Sequence, residues 1–447
     1  MPDSSNRSQN RSGWWMLAVL WLLYTLSFLD RYILTMLVDP IRADLGLSDF
    51  QVSIILGPAF ALSYAAATFP LGWAADRFPR RWVAFGGVFV WSLATTASGL
   101  AQSFGALLLA RICVGAGEAA LAPAAYAMLA DHFLSERLTT ASAIFQSAIK
   151  VGSAAAFGVG GGLLVLATNI GTIRSGGVLD LAPWHFVMIM IGAPGFLFGL
   201  LIFTFAEPNR SVSVKTSSTS VAELWPFLLK HRALFIRFFI GFSVTSMCSV
   251  ALTTWTPTYI GRRFDLSPAS YGAMLSALSL FAAAALVVKG GIVDWLYKRG
   301  MIDAHIRFYC YLLAASIPVG FTLYFISNAT LFFIMYGFLQ LVMISYASYG
   351  LAGLAIIAPP ELRGRITAIF LLLVNLSGSG VAAPLVGALT DFVFHDQAKI
   401  GMSITVVLVI GMPVALIALW SSLSAWRSMI VQINSATVAK SQALSAP

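Results

Sequence analysis

Residues 72–81 read Gly72-Trp73-Ala74-Ala75-Asp76-Arg77-Phe78-Pro79-Arg80-Arg81 and lie between two long apolar runs. Gly72, Asp76 and Arg80 stand at spacing four and four, with Arg77 and Arg81 beside them. The spacing returns far downstream as Gly290, Asp294 and Lys298, followed by Arg299. Steps of four keep all three residues on one helix face. Each set falls between the second and third apolar run of its half of the chain, so the pattern predicts two duplicated six-helix lobes. Local chemistry suggests why these residue types recur. Glycine lets a neighbouring helix come close, and the aspartate marks a helix end. The bases can pair with it or with the C-terminal carbonyls of another helix. A lock of this kind can hold in one conformation and release in another, so Gly72, Asp76, Arg77, Arg80, Gly290, Asp294 and Lys298 are expected to gate.

Outward from this motif the chain is apolar. It has 447 residues, 59% hydrophobic and 10% charged, with a mean hydropathy of +0.84. Soluble proteins carry roughly 25% charged residues, so the composition indicates an integral membrane protein. Runs of spanning length fall near 14–38, 50–73, 82–101, 104–128, 140–167 and 185–205, then near 234–260, 270–292, 304–326, 330–355, 365–390 and 401–425. The fold class expected is all-α, with twelve transmembrane helices. The first run is too long for a signal-peptide core.

The boundaries expected are a bundle over 1–206, a linker over 207–232, a second bundle over 233–427 and a frayed tail over 428–447. In the linker, Ser220 and Glu223 form a capping-box pattern ahead of an interfacial helix. A net charge of +9 invites a nucleic-acid reading. The bases cluster instead in short gaps, among them Arg77, Arg80, Arg81, Lys298, Arg299, Arg363 and Arg365. By the positive-inside rule those gaps and both termini are cytoplasmic.

Five ionisable residues lie well inside the spans, all in the first half: Asp30, Arg31, Arg111, Glu118 and Lys150. A charge at the bilayer centre costs from about 2.5 to more than 10 kcal/mol, so such residues are functional candidates by default. Arg111, Gly115 and Glu118 share a face of the fourth span. Counting along the helices puts Asp30 level with Arg111, and Glu118 level with Lys150. The expectation is two layers: Asp30 with Arg111 or Arg31, and Glu118 with Lys150. Ser142, Gln146, Lys150 and Ser153 make a polar stripe on the fifth span that suits a wet wall. Protonating Asp30 or Glu118 would release a basic partner to an anionic substrate. Lys289 and Arg237 are expected to snorkel toward the cytoplasm.

The second half has no comparable mid-span charge. Around its spans seven, ten and eleven lie Thr254, Trp255, Tyr346 and Asn375, candidates for a neutral, partly aromatic wall. A site charged on one side and greasy on the other suits an amphipathic ligand. Cys113, Cys248 and Cys310 and the five histidines show no metal or disulfide spacing. Phosphate-loop, nucleophile-elbow and metalloprotease patterns are missing, which argues against an enzyme. No cofactor or metal is expected, and an ion gradient is the expected energy source. A proton is favoured over sodium because buried acids sit beside bases.

The motif Gly72–Arg81, Arg111-x-x-x-Gly115 and the glycine-rich 158–162 resemble the major facilitator superfamily. Within it, Asp30-Arg31, Gly117-Glu118-Ala119, Ala130-Asp131-His132-Phe133 and Val151-Gly152-Ser153 are similar to the Spinster-like branch. The resemblance implies two pseudo-symmetric six-helix bundles that rock around a central cavity lined by spans one, four, seven and ten. It also implies proton-linked movement of lysolipids or sphingosine 1-phosphate-type lipids. Lys150 departs from the pattern, standing where a proline is expected. Asp30-Arg31 also resembles organic-anion:proton symporters. The reading is a proton-coupled secondary transporter of an amphipathic or lipid-like anion, monomeric, in a bacterial inner membrane. Its partners are protons and the lipid bilayer, not nucleic acid. The alternative substrate is a small organic anion such as a sugar acid or aromatic carboxylate.

Overall fold

The computed structural model describes residues 4–133, 135–170, 173–174, 180–208, 221–264 and 266–444. Its long helices are α1 (Ser12–Met36), α2 (Asp49–Arg77), α3 (Arg80–Ser98), α4 (Phe104–His132), α5 (Thr140–Ile170) and α6 (Pro183–Thr204). The second series is α7 (Arg232–Arg263), α8 (Pro268–Lys298), α9 (Ala304–Phe325), α10 (Ala329–Ile357), α11 (Leu362–Phe394) and α12 (Gln397–Gln432). All except α3 are long and apolar enough to cross a membrane. Helix α3 begins with Arg80 and Arg81 and carries Ser92, Thr95, Thr96 and Ser98, which lower its hydropathy. Its 19 residues still rise roughly 28 Å at about 1.5 Å each, close to a hydrocarbon core. A two-residue antiparallel ribbon, Ile173–Arg174 with Asp180–Leu181, lies between α5 and α6.

The duplication reaches down to local backbone. Helix α4 is a 15-residue segment to Glu118 and a 12-residue segment from Leu121; α10 is a 15-residue segment to Met343 and a 12-residue segment from Tyr346. Both start on a side-chain cap, Ser103 accepting from the Ala106 amide and Asn328 from the Leu331 amide. These breaks fall at Ala119–Ala120 and Ile344–Ser345, where no proline intervenes.

Packing divides the chain into two compact units whose first cut falls within the expected linker, while two later segments join the first unit. One unit joins Met1–Ser213 to Thr253–Leu280 and Ala383–Ile400; the other comprises Val214–Leu252, Phe281–Ala382 and Gly401–Pro447. Ends of α7, α8 and α11 therefore belong with the first half. Polar contacts explain it. Arg262 reaches Asp39 and Asp49 at 2.7 Å each, the Phe50 amide donates to Asp391 at 2.7 Å, and the Trp255 indole donates to the Ala383 carbonyl. Asp49 is fully buried, so the Arg262 guanidinium satisfies a charge that would otherwise be costly.

The core of this first unit interleaves Leu20, Leu23, Val88, Trp91, Val114, Met128 and Phe145. Two glycines set its close approaches. A Cβ on Gly117 would lie 2.8 Å from the Trp91 amide nitrogen and 2.9 Å from the Gly87 carbonyl, and one on Gly152 would lie 2.7 Å from Phe28 Cβ. Any larger residue would push α3 away from α4, or α1 away from α5.

The second unit is built on aromatics. Phe238 stacks on Trp426 with centroids 5.9 Å apart, and Phe242 stacks on Tyr309 at 5.8 Å. At one end the buried Asp303 receives Arg307 at 2.7 Å and Arg427 at 2.6 Å. Replacing Asp303 by Ala leaves two guanidinium groups without their shared carboxylate. Both are partly exposed, so the expected loss is about 1–3 kcal/mol rather than that of a fully buried pair. A fall of several degrees in the midpoint of a thiol-dye melting curve checks it.

Two expectations on the connecting segments are corrected or bounded. Helix 221–230 follows the linker as expected, with Phe227 packed on Phe235 at 5.7 Å. Its proposed capping pair, Ser220 and the Glu223 side chain, lies outside the described residues. The tail does not fray at Arg427: the last helix continues from Ile400 to Leu444, since neither Gly nor Pro interrupts 428–444.

Candidate functional site

The first unit holds two ion-pair layers, one buried on both sides and one whose arginine is partly exposed. In one, Arg111 Nη1 stands 3.6 Å from Asp30 Oδ2, which also accepts a hydrogen bond from Thr95 Oγ1 at 2.8 Å. Both charges are buried, Arg111 fully and Asp30 to within 2%. In the other, Glu118 Oε2 accepts from Arg31 Nη2 at 2.6 Å and from Ser27 Oγ at 2.7 Å. Asp30 and Arg31 diverge by about 100° on α1, so consecutive residues serve separate layers. Thus α1 supplies one member of each pair and α4 the other.

The break in α4 accounts for part of this geometry. Glu118 ends the helical segment, where Ala119 N donates to the Gly115 carbonyl and Ala120 N to the Gly117 carbonyl. A carboxylate at a helix C-terminus faces the negative end of the dipole. Its stabilisation must therefore come from outside the helix, and Arg31 and Ser27 provide it. This corrects the expected partner: Arg31, not Lys150, occupies the contact position on Glu118. Lys150 is half-buried on α5, and its carbonyl accepts from Ser153 Oγ at 3.0 Å. Along the same stripe Gln146 is exposed.

Aromatic rings complete the site. The Arg31 guanidinium lies 4.1 Å from the Phe60 centroid, 4.5 Å from Phe28 and 5.6 Å from Tyr64. Arg111 lies 5.5 Å from the same Phe60 ring. One ring therefore touches both cations, and each contact contributes up to about 2 kcal/mol when desolvated. Close approach of α2 to α4 places it there, since a Cβ on Gly115 would lie 2.7 Å from the Phe60 carbonyl.

Hydrogen-bond capacity in the site exceeds its use. Arg111 Nε, Nη1 and Nη2, Arg31 Nε, Asp30 Oδ1 and Glu118 Oε1 are buried without a hydrogen-bond partner. A buried guanidinium has five donors and is costly to leave unserved. Polar groups facing one another with spare donors and acceptors can take up an anionic group and move protons. Among the described residues no group of three or more His, Cys, Asp or Glu could hold a metal.

Sequence reasoning missed Ser27, Phe28, Phe60, Tyr64 and Thr95. Ser27 stands one turn before Arg31, a legible signal, and Thr95 belongs to a visible run of hydroxyls on α3. Phe60 and Tyr64 look like any apolar helix face.

The second-half candidates are structurally less suggestive. Trp255 is fully buried with its indole N–H used, which makes it a packing residue here and corrects its expected place on a wall. Thr254 is also buried, Tyr346 accepts from Ser246 Oγ at 3.2 Å, and the Asn375 amide donates to its own helix at the Leu371 carbonyl.

The repeated Gly-Asp-basic motif divides into parts. Arg80 pairs with Asp131, while Arg80 N donates to Glu207 at 2.8 Å and Arg81 Nη1 to the Phe205 carbonyl at 2.7 Å. Arg77 covers Trp73 at 4.3 Å, as Arg299 covers Trp295 at 3.8 Å, both one helical turn apart. Asp294 and Lys298 are exposed. The explanation offered for the repeated glycines fails, because a Cβ on Gly72 or Gly290 would meet nothing within 4 Å.

Comparison with known proteins gives concordant results. The profile of the family described as Major Facilitator Superfamily matches residues 20–382. The chain is 26% identical to an MFS-type efflux pump of Mycolicibacterium smegmatis over 440 residues, covering 96% of this chain and 97% of that one. It is 27% identical to a probable L-galactonate transporter of Escherichia coli over 309 residues, 68% of this chain and 67% of the other. In fold it is similar to a bacterial homolog of the human lysosomal transporter Spinster, with a TM-score of 0.76, 22% identity and coverage of 94% and 96%.

Proposed function

The chain belongs to the major facilitator superfamily, and on that premise we propose that it is a proton-coupled transporter of an anionic amphiphile working by alternating access. It is a multi-pass membrane transporter and not an enzyme; the coupling ion and the substrate are the proposal. The observation that carries it is Arg111, a fully buried cation with all three nitrogens unserved by hydrogen bonds, 3.6 Å from Asp30. An anionic headgroup is the natural ligand for that fork. Phe28, Phe60 and Tyr64 beside the two arginines offer apolar and π surface for the start of a tail. Asp30 and Glu118 are the proton carriers in this reading, because protonating either frees its arginine for substrate. Arg80 with Asp131, and Asp76 and Arg77 beside them, form the cytoplasmic gate, with Asp294 and Lys298 as their counterparts.

Purified protein in proteoliposomes tests this. An imposed pH gradient is expected to drive uptake of a single-chain anionic lipid, with proton movement recorded by an entrapped dye. Binding measured across pH should weaken as the carboxylates ionise and reclaim their arginines. Uptake that ignores the pH gradient but follows sodium rejects proton coupling.

The second reading is a small sugar acid, favoured by the likeness to the probable L-galactonate transporter of Escherichia coli. A polyhydroxylated acid needs many hydrogen-bond partners, whereas the rings around Arg31 supply few. Galactonate competing with binding where lysolipids do not would select this reading.

A further inference from the structure

Lys289 was expected to snorkel, and it does not. It lies on α8 nine residues before Lys298, about 13 Å along the helix at roughly 1.5 Å per residue. Its ammonium turns inward within the second unit and donates to the Leu341 carbonyl and to Ser345 Oγ. Both acceptors belong to the break of α10, where the segment ending at Met343 gives way to the one starting at Tyr346.

A helix that stops inside a membrane leaves carbonyls that water cannot serve. Three of the last four have partners. The Gln340 carbonyl accepts from Ile344 N at 3.1 Å, and the Val342 carbonyl from Ser345 N at a long 3.4 Å. Between them, the Leu341 carbonyl accepts from Ser345 Oγ at 3.2 Å and from Lys289. The ammonium thus meets the negative end of a half-helix dipole, at the Leu341 carbonyl and the Ser345 hydroxyl oxygen. Unwound carbonyls and half-helix C-termini of this kind coordinate monovalent cations in other transporters.

The duplicated half has no such cation. Aligned on the repeated glycines, Lys289 precedes Gly290 as Leu71 precedes Gly72. At the break in α4 the neighbouring cation is Arg31, and it pairs with the Glu118 side chain rather than with a backbone carbonyl. The lysine is therefore an addition to the second half, not a requirement of the fold.

We propose that Lys289 is a positioning residue whose tethered ammonium fills a cation site on the broken α10, built from the Leu341 carbonyl and Ser345 Oγ. It fixes the geometry of the break by holding the Leu341 carbonyl and Ser345 Oγ on one ammonium. The site has an approach from outside: an apolar groove of about 430 Å³ lined by Phe281, Ala285, Val288, Leu312 and Phe338 runs beside Lys289. Removing the side chain would leave a slot shaped for the propylammonium group it had carried.

Hydrogen–deuterium exchange on the full chain in lipid nanodiscs, read over residues 340–349, tests the proposal. In Lys289→Ala the amides of Ile344 and Ser345 are expected to exchange at least about tenfold faster, because a hydrogen bond from a charged donor is worth a decade or more. Millimolar propylammonium should restore slow exchange in that variant, and propyltrimethylammonium, which has no N–H, should not. Native protein should respond to neither. Unchanged exchange in a folded Lys289→Ala, no rescue by propylammonium, or equal rescue by both amines would overturn it. Should Lys289→Ala fail to fold, Ser345→Ala carries the test: it removes one of the two acceptors, and exchange there as slow as native counts against the site.

Discussion

Arg111→Gln is expected to abolish accumulation of an anionic substrate, by at least about 100-fold, the product of a lost charged fork and a stranded carboxylate. Two effects are mixed in that number. The substrate loses its anchor, and Asp30, at 2% exposure, loses its counter-ion. Breaking a buried pair from one side costs about 3–5 kcal/mol, so the single variant should also melt earlier. The neutral double variant Arg111→Gln with Asp30→Asn separates the two. It removes both charges, keeps similar volumes, and leaves Thr95 a partner at position 30. Thermal stability should return close to native while uptake stays lost. Arg111→Lys should sit between, since an ammonium keeps the charge but not the planar fork. A double variant that transports at native rate would show the pair to be a packing device.

The chain revealed its architecture more readily than its site, for a physical reason. Span lengths and loop charges follow from the bilayer, a solvent that punishes every unpaired polar group. The twelve spans and the repeat of Gly72-Asp76-Arg80 in Gly290-Asp294-Lys298 were therefore legible. So were the five mid-span charges, because nothing cheap explains them. Pairing was harder. Depth counted along α1 and α4 made Asp30 level with Arg111, but it paired Glu118 with Lys150, where the structure has Arg31 on that carboxylate. That choice depends on helix rotation and on the break after Glu118, set by packing through Gly117 against Trp91. Phe60 was invisible because the same apolar ring serves lipid, core or cation. The unit boundary was hidden for a similar reason: Arg262, Asp39 and Asp49 are ordinary loop-end charges until the chain brings them together. Lys289 misled because a lysine near a helix end usually reaches for water, and the carbonyls exposed by the α10 break offered a nearer partner.

Glu118→Gln should uncouple transport from protons while leaving the pathway open. The amide retains an oxygen to accept from Ser27 and Arg31 but cannot ionise, so it mimics a permanently protonated carboxylate. Counterflow, which exchanges substrate for substrate and needs no net proton movement, should persist within a few-fold of native. Accumulation driven by a pH gradient should fall to the level set by equilibration. The feature that makes this outcome reasonable is the set of rings around Arg31. When Glu118 is neutral, the partly exposed guanidinium loses its counter-ion, but Phe60 at 4.1 Å and Phe28 at 4.5 Å still face it. Those contacts are worth up to about 2 kcal/mol each, enough to keep Arg31 charged and aimed rather than displaced toward the Asp30 layer. Phe60→Leu placed on the Glu118→Gln background should therefore lose counterflow as well, since Arg31 then loses both its counter-ion and its nearest ring. Asp30→Asn probes the other carrier in the same assay, its effect on coupling being read against the Arg111 pair. Gradient-driven accumulation that survives in both Glu118→Gln and Asp30→Asn would remove the two carboxylates from the coupling mechanism. The ion pairs of α1 and α4 would then be fixtures of helix packing, stabilised by the rings that cover them.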